Sequence, residues 1–541
     1  MRNIAARFFH AVEKHGQLPA MGYSGEDAIV TYHQLGEKVK ECALCLSDIE
    51  PGEAVGLLSE NRPEWGKVYL GILSAGGTVV PFDSLLKKDE LKQIFIDSGI
   101  KRVFVSHKFI DIAESIVSSI DREVKIYDLT NIPVADTKEF VPRFSENKDE
   151  TAVIIFTSGT TGKAKQVMLT HNNILSDIDS ILICVRFRAG DSFLSVLPLH
   201  HTFEATAGFL LAILNGCAIY YVRELNSREI MTGFQRHNIS YFIAVPLILE
   251  KLYHGILGAV KKAPLTKRLM FTMLNKSTRA IYSLTGKNAG KKLFASLRQK
   301  AGLSSLKLIV SGGAPLPIEV AKGFSMLGFT LLEGYGLTET SPVLTVNLPE
   351  KIKFGSVGKP LPRVELKIDS IDDSGIGEVL AKGPMVTPGY KNNHEATNAL
   401  FDNGWMRTGD VGYIDDEGFL FIKGRAKNLI VSAAGKNIYP EEIEAQLLNS
   451  DFILEAMVYG HKANNGREEV AALIYPDYEL LAAELGKQPG SVSEADCKTV
   501  VGKDIQAICS RMADFKRVKH ITYTREELAK TSTRKIKRYL Y

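Results

Sequence analysis

The chain of 541 residues contains no window of about 18 unbroken apolar residues, so no conventional membrane-spanning helix is expected. Its formal net charge is only +4, too small at this length to argue for nucleic acid as a partner. The opening "MRNIAARFFHAVEKHG" lacks the apolar core and small-residue cleavage site of a secretory leader and reads instead as an amphipathic helix. Cysteine is sparse and scattered, at positions 42, 45, 184, 217, 497 and 509, which suggests reduced thiols and a cytosolic location. Cys42 and Cys45 form a CxxC, but they sit in the helical pattern "LGEKVKECALCLSDI" with no second pair or nearby histidine. A buried structural role is expected for them, not zinc or redox chemistry. There is no internal repeat and no low-complexity tract.

Aspartate and glutamate are missing altogether between residues 251 and 318, where thirteen lysines and arginines fall. Within that stretch, "LTKRLMFTMLNKSTRAIYSL" sets Leu265, Leu269, Met273 and Ile281 at helical spacing among cations. Such a helix suits an anionic membrane surface, and it also suits a solvated insertion whose charges are balanced elsewhere in the fold.

What is present is ordinary globular material, 45% hydrophobic and 24% charged, in a chain long enough for two or more domains. Helical and strand patterns alternate over the first 140 residues and again around "CAIYYV", "ISYFIAVP" and "LKLIVSGGAP". That alternation predicts an α/β fold of mostly parallel, helix-covered sheets. From about residue 355 short alternating strands with Gly and Asp turns predict a small β-barrel-like subdomain, 355–424. The expected division is an N-terminal domain over 1–424 and a smaller α+β domain over 425–541.

The stretch "TSGTTGKAK", Thr157 to Lys165, is rich in glycine, hydroxyls and lysine, the composition of a phosphate loop. It is not a Walker loop: only Thr160 and Thr161 separate Gly159 from Gly162, and Ala164 rather than Ser or Thr follows Lys163. The flanks "TAVIIF" and "KQVMLTH" both read as strands, and a helix is expected only from Asn172. A loop between strands can still wrap a polyphosphate, because glycine lets backbone N–H groups converge. Taken alone it is equally a polar surface turn.

Other stretches give it company. Glu339 in "EGYGLTETSP" could hold Mg²⁺, which prefers oxygen ligands and often carries substrate phosphates. Tyr335 could stack on a base, "SGGAP" (311–315) ends an apolar strand, and Asp410 of "RTGD" could accept both hydroxyls of a ribose. Lys535 stands among basic neighbours in "AKTSTRKIKR".

The ordered set "TSGTTGKAK", "PLHHTFE", "GYGLTETSP", "GEVLAKGPMVTPGYKN", "MRTGD", "GRAKNLIVSAAGKNIYPEEIE" and "KTSTRKIKR" closely resembles the adenylate-forming superfamily of acyl-CoA synthetases, luciferases and adenylation domains. "HHTFE", "LLEGYGLTETSP" and the basic insertion between them look most like the bacterial long-chain fatty acid–CoA ligases. The resemblance implies ATP-dependent joining of a carboxylic acid to AMP with release of pyrophosphate, then transfer of the acyl group to the thiol of coenzyme A. It implies that Thr157, Ser158, Gly159, Thr160, Thr161, Gly162 and Lys165 wrap the β- and γ-phosphates. Thr338 and Glu339 would attend the α-phosphate and Mg²⁺, and Asp410 the ribose. Gly313, Ala314, Gly334 and Tyr335 would border the adenine, with Arg425 reaching toward ribose or phosphate. His201 would close the carboxylate pocket, and Lys535 would bridge carboxylate and α-phosphate. Lys427 would be a hinge on which the C-terminal domain rotates between half-reactions, followed by the "SAAGKN" turn with Gly435.

Two positions depart from the superfamily pattern: Ala164 replaces a common proline, and Arg534 a common glycine, with Lys530 as the alternative to Lys535. An adenylation domain for amino acids would place an Asp after the aromatic motif, where this chain has Glu204 and then apolar residues. No carrier domain is expected after residue 541. Acyl carrier protein in place of coenzyme A is an acceptor that these residues leave open. A nucleotide-binding protein without catalysis would not need Glu339 and Lys535 together.

Overall fold

The computed structural model describes residues 3–133, 140–144, 147–157, 164–285, 288–432, 436–462, 468–531 and 535–541. The chain packs as two compact units, Met1–Leu366 with Ala381–Met406, and Lys367–Leu380 with Arg407–Tyr541.

The first unit is built on two large sheets. One runs, edge to edge, Gly389–Tyr390, Lys165–Thr170, Thr151–Thr157, Thr78–Phe82, Ala54–Leu58, Arg102–Val105 and Lys125–Asp128. Its strands Ala54–Leu58 and Thr78–Phe82 are parallel and joined by helix Pro63–Ser74, which opens on a proline at its first turn. Both faces of this sheet are covered. Val55, Leu57 and Val79 join the main core, while Leu58, Val80, Phe82 and Val103 join a second cluster on the opposite face. Burial on both faces is why these strands read as unbroken apolar runs rather than alternating ones. The linking helix is buried nearly throughout from Trp65 to Ser74, and it packs tightly on the next helix back. A Cβ at Gly71 would lie 2.5 Å from Cys42 Sγ. Cys42 is therefore a packing residue, its thiol pushed up to about 12 by burial, and among the described residues all six cysteines are free thiols.

The other sheet runs Lys359–Pro360, Thr345–Val346, Leu331–Tyr335, Leu308–Ser311, Tyr241–Ala244, Ser192–Ser195, Ala218–Tyr221, Pro19–Tyr23 and Ile29–Thr31. Its centre is parallel, from Leu331–Tyr335 across to Pro19–Tyr23. The α/β architecture of mostly parallel, helix-covered sheets is thus the one the alternating pattern predicts.

Besides residues 367–380, the second unit holds the antiparallel pair Trp405–Ile414, of which residues 407–414 belong to it, and Leu420–Arg425. It continues into a three-stranded sheet, Ile453–Lys462 antiparallel to Glu468–Pro476, which is parallel to His520–Tyr523. Helices Pro440–Leu447 and Glu494–Ser510 close a separate core that includes Ile443, Leu447, Val458, Ile474, Val501 and Ile505. Packing thus groups 407–424 with the residues that follow Arg425. The reason lies in specific contacts. Lys423 pairs with Glu442 at 2.7 Å, Asn428 donates to Glu441 at 2.7 Å, and Asp372 accepts from Asn437 at 2.9 Å. Among the described residues no helix is long and apolar enough to cross a membrane.

Candidate active site

Strand Thr151–Thr157 runs antiparallel to Lys165–Thr170, with Thr157 opposite Lys165. The glycine-rich stretch therefore joins two paired strands. The next helix, His171–Cys184, starts only after the second strand, where Thr170 Oγ1 accepts from the Asn173 N–H at 3.0 Å. Ser158, Gly159, Thr160, Thr161 and Gly162 lie outside the described residues, as do Lys163, Gly435 and Arg534.

Beyond the loop's exit strand, Gly389–Tyr390 adds antiparallel, with Tyr390 opposite Val167. This pairing carries a residue that the sequence reading quoted but gave no role. The Tyr390 hydroxyl donates to Glu339 Oε1 at 2.9 Å, and Lys165 Nζ sits over the Tyr390 ring, 4.6 Å from its centroid. One buried aromatic ring thus holds both a loop lysine and the candidate metal carboxylate. Its motif gives no sign of these contacts, because the partners of Tyr390 are 225 and 51 positions away in sequence.

Glu339 itself lies in the single 3₁₀ turn Thr338–Thr340 after strand Leu331–Tyr335, half-buried with Thr338. The turn is pinned from several sides. Thr340 Oγ1 accepts from the Leu337 N–H at 2.9 Å and donates to the Pro342 carbonyl at 2.8 Å. The Glu339 carbonyl accepts from the Thr387 N–H at 2.8 Å. A Cβ at Gly336 would fall 1.8 Å from the Pro342 carbonyl oxygen, so only glycine lets the chain fold back on itself here. A carboxylate so placed suits a hard divalent cation that keeps most of its other ligands from phosphate and water.

Strands Leu308–Ser311 and Leu331–Tyr335 lie side by side and parallel. Gly313 and Ala314 are exposed just past the end of the first, and Gly334 and Tyr335 end the second, so the four adenine candidates cluster at the carboxyl edge of the sheet. Carboxyl edges are where open parallel sheets bind ligands. Gly313 has φ +84°, a conformation that side chains rarely adopt.

His201 is half-buried, its ring 4.2 Å from that of His200. His200 Nε2 lies 3.2 Å from Asp83 Oδ1, at the end of strand Thr78–Phe82, so this pair ties the edges of the two sheets together. The donor atoms of Asp83, His200 and His201 all lie within 4.8 Å of one another. Two residues on, the turn becomes a π-helix, Phe203–Leu210, a form that recurs at functional sites. Glu204, on its first turn, is 2% exposed and accepts from Ser195 Oγ at 2.5 Å. Burial pushes its carboxyl up to about 8, so it is a neutral acid at pH 7. Thr202 Oγ1, Glu204 Oε2 and Ser311 Oγ are buried without a hydrogen-bond partner among the described residues. Buried polar atoms are seldom left so, and those of 202 and 204 beside the strand end at Ser311 mark a place for water or a polar ligand head.

In the second unit, Asp410 and Arg425 face each other across paired strands, with Arg425 Nε 2.9 Å from Asp410 Oδ1. Thr408 braces this pair: its hydroxyl accepts from the Asp410 N–H at 3.1 Å, and its carbonyl accepts from Arg425 Nη1 at 3.2 Å. Lys427 is exposed in the turn Ala426–Asn428. Lys535 is exposed too, with its backbone carbonyl accepting from the Thr531 N–H at 2.8 Å. Lys530 is differently placed: it is largely buried and paired with Glu455. Its charge is committed to that pair.

Comparison with known proteins draws these features together. A family model described as AMP-binding enzyme matches residues 8–391. The 2-succinylbenzoate–CoA ligase of Bacillus pumilus is 30% identical over 472 residues, 85% of this chain and 86% of its own length. The long-chain-fatty-acid–CoA ligase of Mycobacterium bovis is 28% identical over 560 residues, 94% and 90% respectively. Among solved structures, O-succinylbenzoate coenzyme A synthetase from Bacillus subtilis in complex with AMP matches with a TM-score of 0.77 at 25% identity, over 98% of this chain and 96% of that one. The fold is that of the adenylate-forming enzymes. The chain belongs to the AMP-binding enzyme family.

Proposed function

We propose that this AMP-forming acid–CoA ligase takes a medium- or long-chain fatty acid, joins it to AMP, and passes the acyl group to coenzyme A. The observation that carries the adenylation reading is the run Lys165–Tyr390–Glu339, in which one ring aligns a loop cation with a carboxylate suited to Mg²⁺. In the first half-reaction an oxygen of the substrate carboxylate attacks the α-phosphorus of ATP, and the bond to pyrophosphate breaks. In the second the thiolate sulfur attacks the acyl carbon, and AMP leaves with the bonding electron pair.

Both partners in the first step are anions, so the need is for positioned cations and N–H donors. Thr157, the Ser158–Gly162 loop and Lys165 hold the phosphates that leave. Thr338 and Lys535 serve the α-phosphate that stays. Glu339 would hold Mg²⁺, which neutralises phosphate charge when bound. Asp410 takes the ribose hydroxyls, with Arg425 beside it, and Gly313, Ala314, Gly334 and Tyr335 border the base. His201 orients the substrate carboxylate, and Lys427 is the pivot between half-reactions.

The reading of a fatty acid is supported by the likeness to a long-chain-fatty-acid–CoA ligase and by the apolar stretch that follows His201, which the fold also uses as core. Residues 204–212 are buried and, apart from neutral Glu204 and Thr206, apolar or glycine. The deciding experiment is a panel of acids from acetate to oleate and 2-succinylbenzoate, scored by pyrophosphate release with ATP and Mg²⁺. Adding coenzyme A or acyl carrier protein and following AMP release identifies the thiol. The expected result is a maximum among the longer acids with coenzyme A as acceptor. A maximum at acetate or an aromatic acid overturns the substrate assignment, and AMP release that requires carrier protein overturns the acceptor.

A further inference from the structure

Helix Leu265–Thr285 carries a surface that neither the fold nor the candidate site uses. It packs through Phe271, Leu274 and Thr278, with Phe271 against Phe294 at 5.4 Å between centroids. On the opposite side, at one- and two-turn spacing, run Leu265, Leu269, Met273, Ala280 and Leu284. The four large residues of that line are 66%, 54%, 69% and 85% exposed, so the helix is apolar on two faces and only one is used by the fold. Exposed Arg268, Lys276 and Arg279 lie along the outer stripe, Lys261 and Lys262 end the preceding helix Pro246–Lys262, and exposed Lys267 stands one turn before Phe271 on the packing side. None of these six is in an ion pair among the described residues. Other cations of the basic stretch are spent inside the fold, since Lys307 pairs with Asp191 at 2.5 Å and Arg298 donates to the Gly328 carbonyl.

We infer that this helix is a docking face for an anionic lipid bilayer, lying along the headgroups with the Leu265–Leu284 stripe inserted and its cations against lipid phosphate. At 1.5 Å per residue its 21 residues make an element about 30 Å long. An apolar stripe flanked by lysine and arginine is the arrangement an interfacial helix requires. A second copy of the chain fits poorly, because it would bring the same uncompensated cations face to face across the contact. The inference stands on the surface alone and does not depend on which acid is activated. It would, however, place the enzyme where membrane-dissolved acids are found.

The test is co-sedimentation of the full chain with vesicles of phosphatidylglycerol and phosphatidylcholine, against vesicles of phosphatidylcholine alone. No nucleotide or acid is added, so the outcome is separable from the proposed reaction. Three proteins are compared: wild type, the triple variant Leu269→Ser/Met273→Ser/Leu284→Ser, and the charge variant Arg268→Glu/Lys276→Glu. Wild type should pellet with anionic vesicles at low salt, release at high salt, and stay in solution with neutral vesicles. Each variant should lose binding by roughly tenfold or more while melting at the wild-type temperature. If the triple variant does not fold, Leu284→Ser alone and the charge variant carry the test. Equal binding to neutral vesicles overturns the inference, as does retention of binding by folded variants. A concentration-dependent dimer abolished by the triple variant, without vesicle binding, would assign the stripe to a second copy instead.

Discussion

At the scale of single residues, Tyr390 shows how a side chain far along the chain can join two candidate site residues that come from separate motifs. Its hydroxyl orients one oxygen of Glu339 while its ring holds Lys165. Tyr390→Phe removes the first contact and keeps the second. A hydrogen bond to a charged group is worth about 1.5–3 kcal/mol, so pyrophosphate release should fall about tenfold or more. The Mg²⁺ concentration giving half-maximal rate should rise, and the melting temperature should change little. An unaltered Mg²⁺ dependence would remove Tyr390 as a positioning residue for Glu339. Lys530 makes the complementary point. From spacing alone it could stand in for Lys535, whereas the structure commits its charge to Glu455.

At the scale of elements, the π-helix Phe203–Leu210 packs against strand Ser192–Ser195 through the Glu204–Ser195 hydrogen bond. Gly208 makes room for it, since a Cβ there would lie 2.7 Å from the carboxyl carbon of Glu204. Burial raises this carboxyl from 4.5 to about 8. Below pH 4.5 the acid is neutral folded or unfolded, and its contribution is fully present. As pH rises toward 8 the unfolded chain ionises it while the folded chain still holds the proton, so stability is lost across that window. Glu204→Gln keeps an oxygen for Ser195 and removes the titration. Thermal melts from pH 5 to pH 8 should therefore fall less steeply in the variant. Some slope should remain, because burial also raises Glu333, to about 7, and Asp177. Parallel slopes for the two proteins would refute a buried neutral Glu204. The sequence showed a glutamate among apolar residues here; its neutrality depends on desolvation by chain segments that only meet after folding.

At the scale of the whole molecule, the proposed chemistry draws on residues of both packing units. Glu339 and Lys165 belong to the first, and Lys535 to the second. The proposed pivot at Lys427 gives Lys535 a part in one half-reaction only. Lys535→Ala should lower acyl-AMP formation by roughly a hundredfold, the order expected for one lost donor to developing charge. Presynthesised acyl-AMP should still be converted to thioester at near the wild-type rate. A folded variant that fails in both half-reactions would sink this role. Lys530→Ala should instead lower stability by exposing the loss in the Glu455 pair, with adenylation by the folded fraction retained.

The order of motifs, the alternation of helix and strand, the structural nature of Cys42 and the basic helix were all determined by the sequence by itself. Each rests on local patterns, on residue type and on spacing within one element. Tertiary structure alone decided the rest. It joined Lys165 to Glu339 through Tyr390, tied His200 to Asp83 across two sheets, and made Glu204 neutral. It also showed that helix Leu265–Thr285 spends one apolar face on the core and leaves a second one outside. Those properties come from contacts between residues distant in the chain and from the water they exclude, neither of which a local pattern encodes.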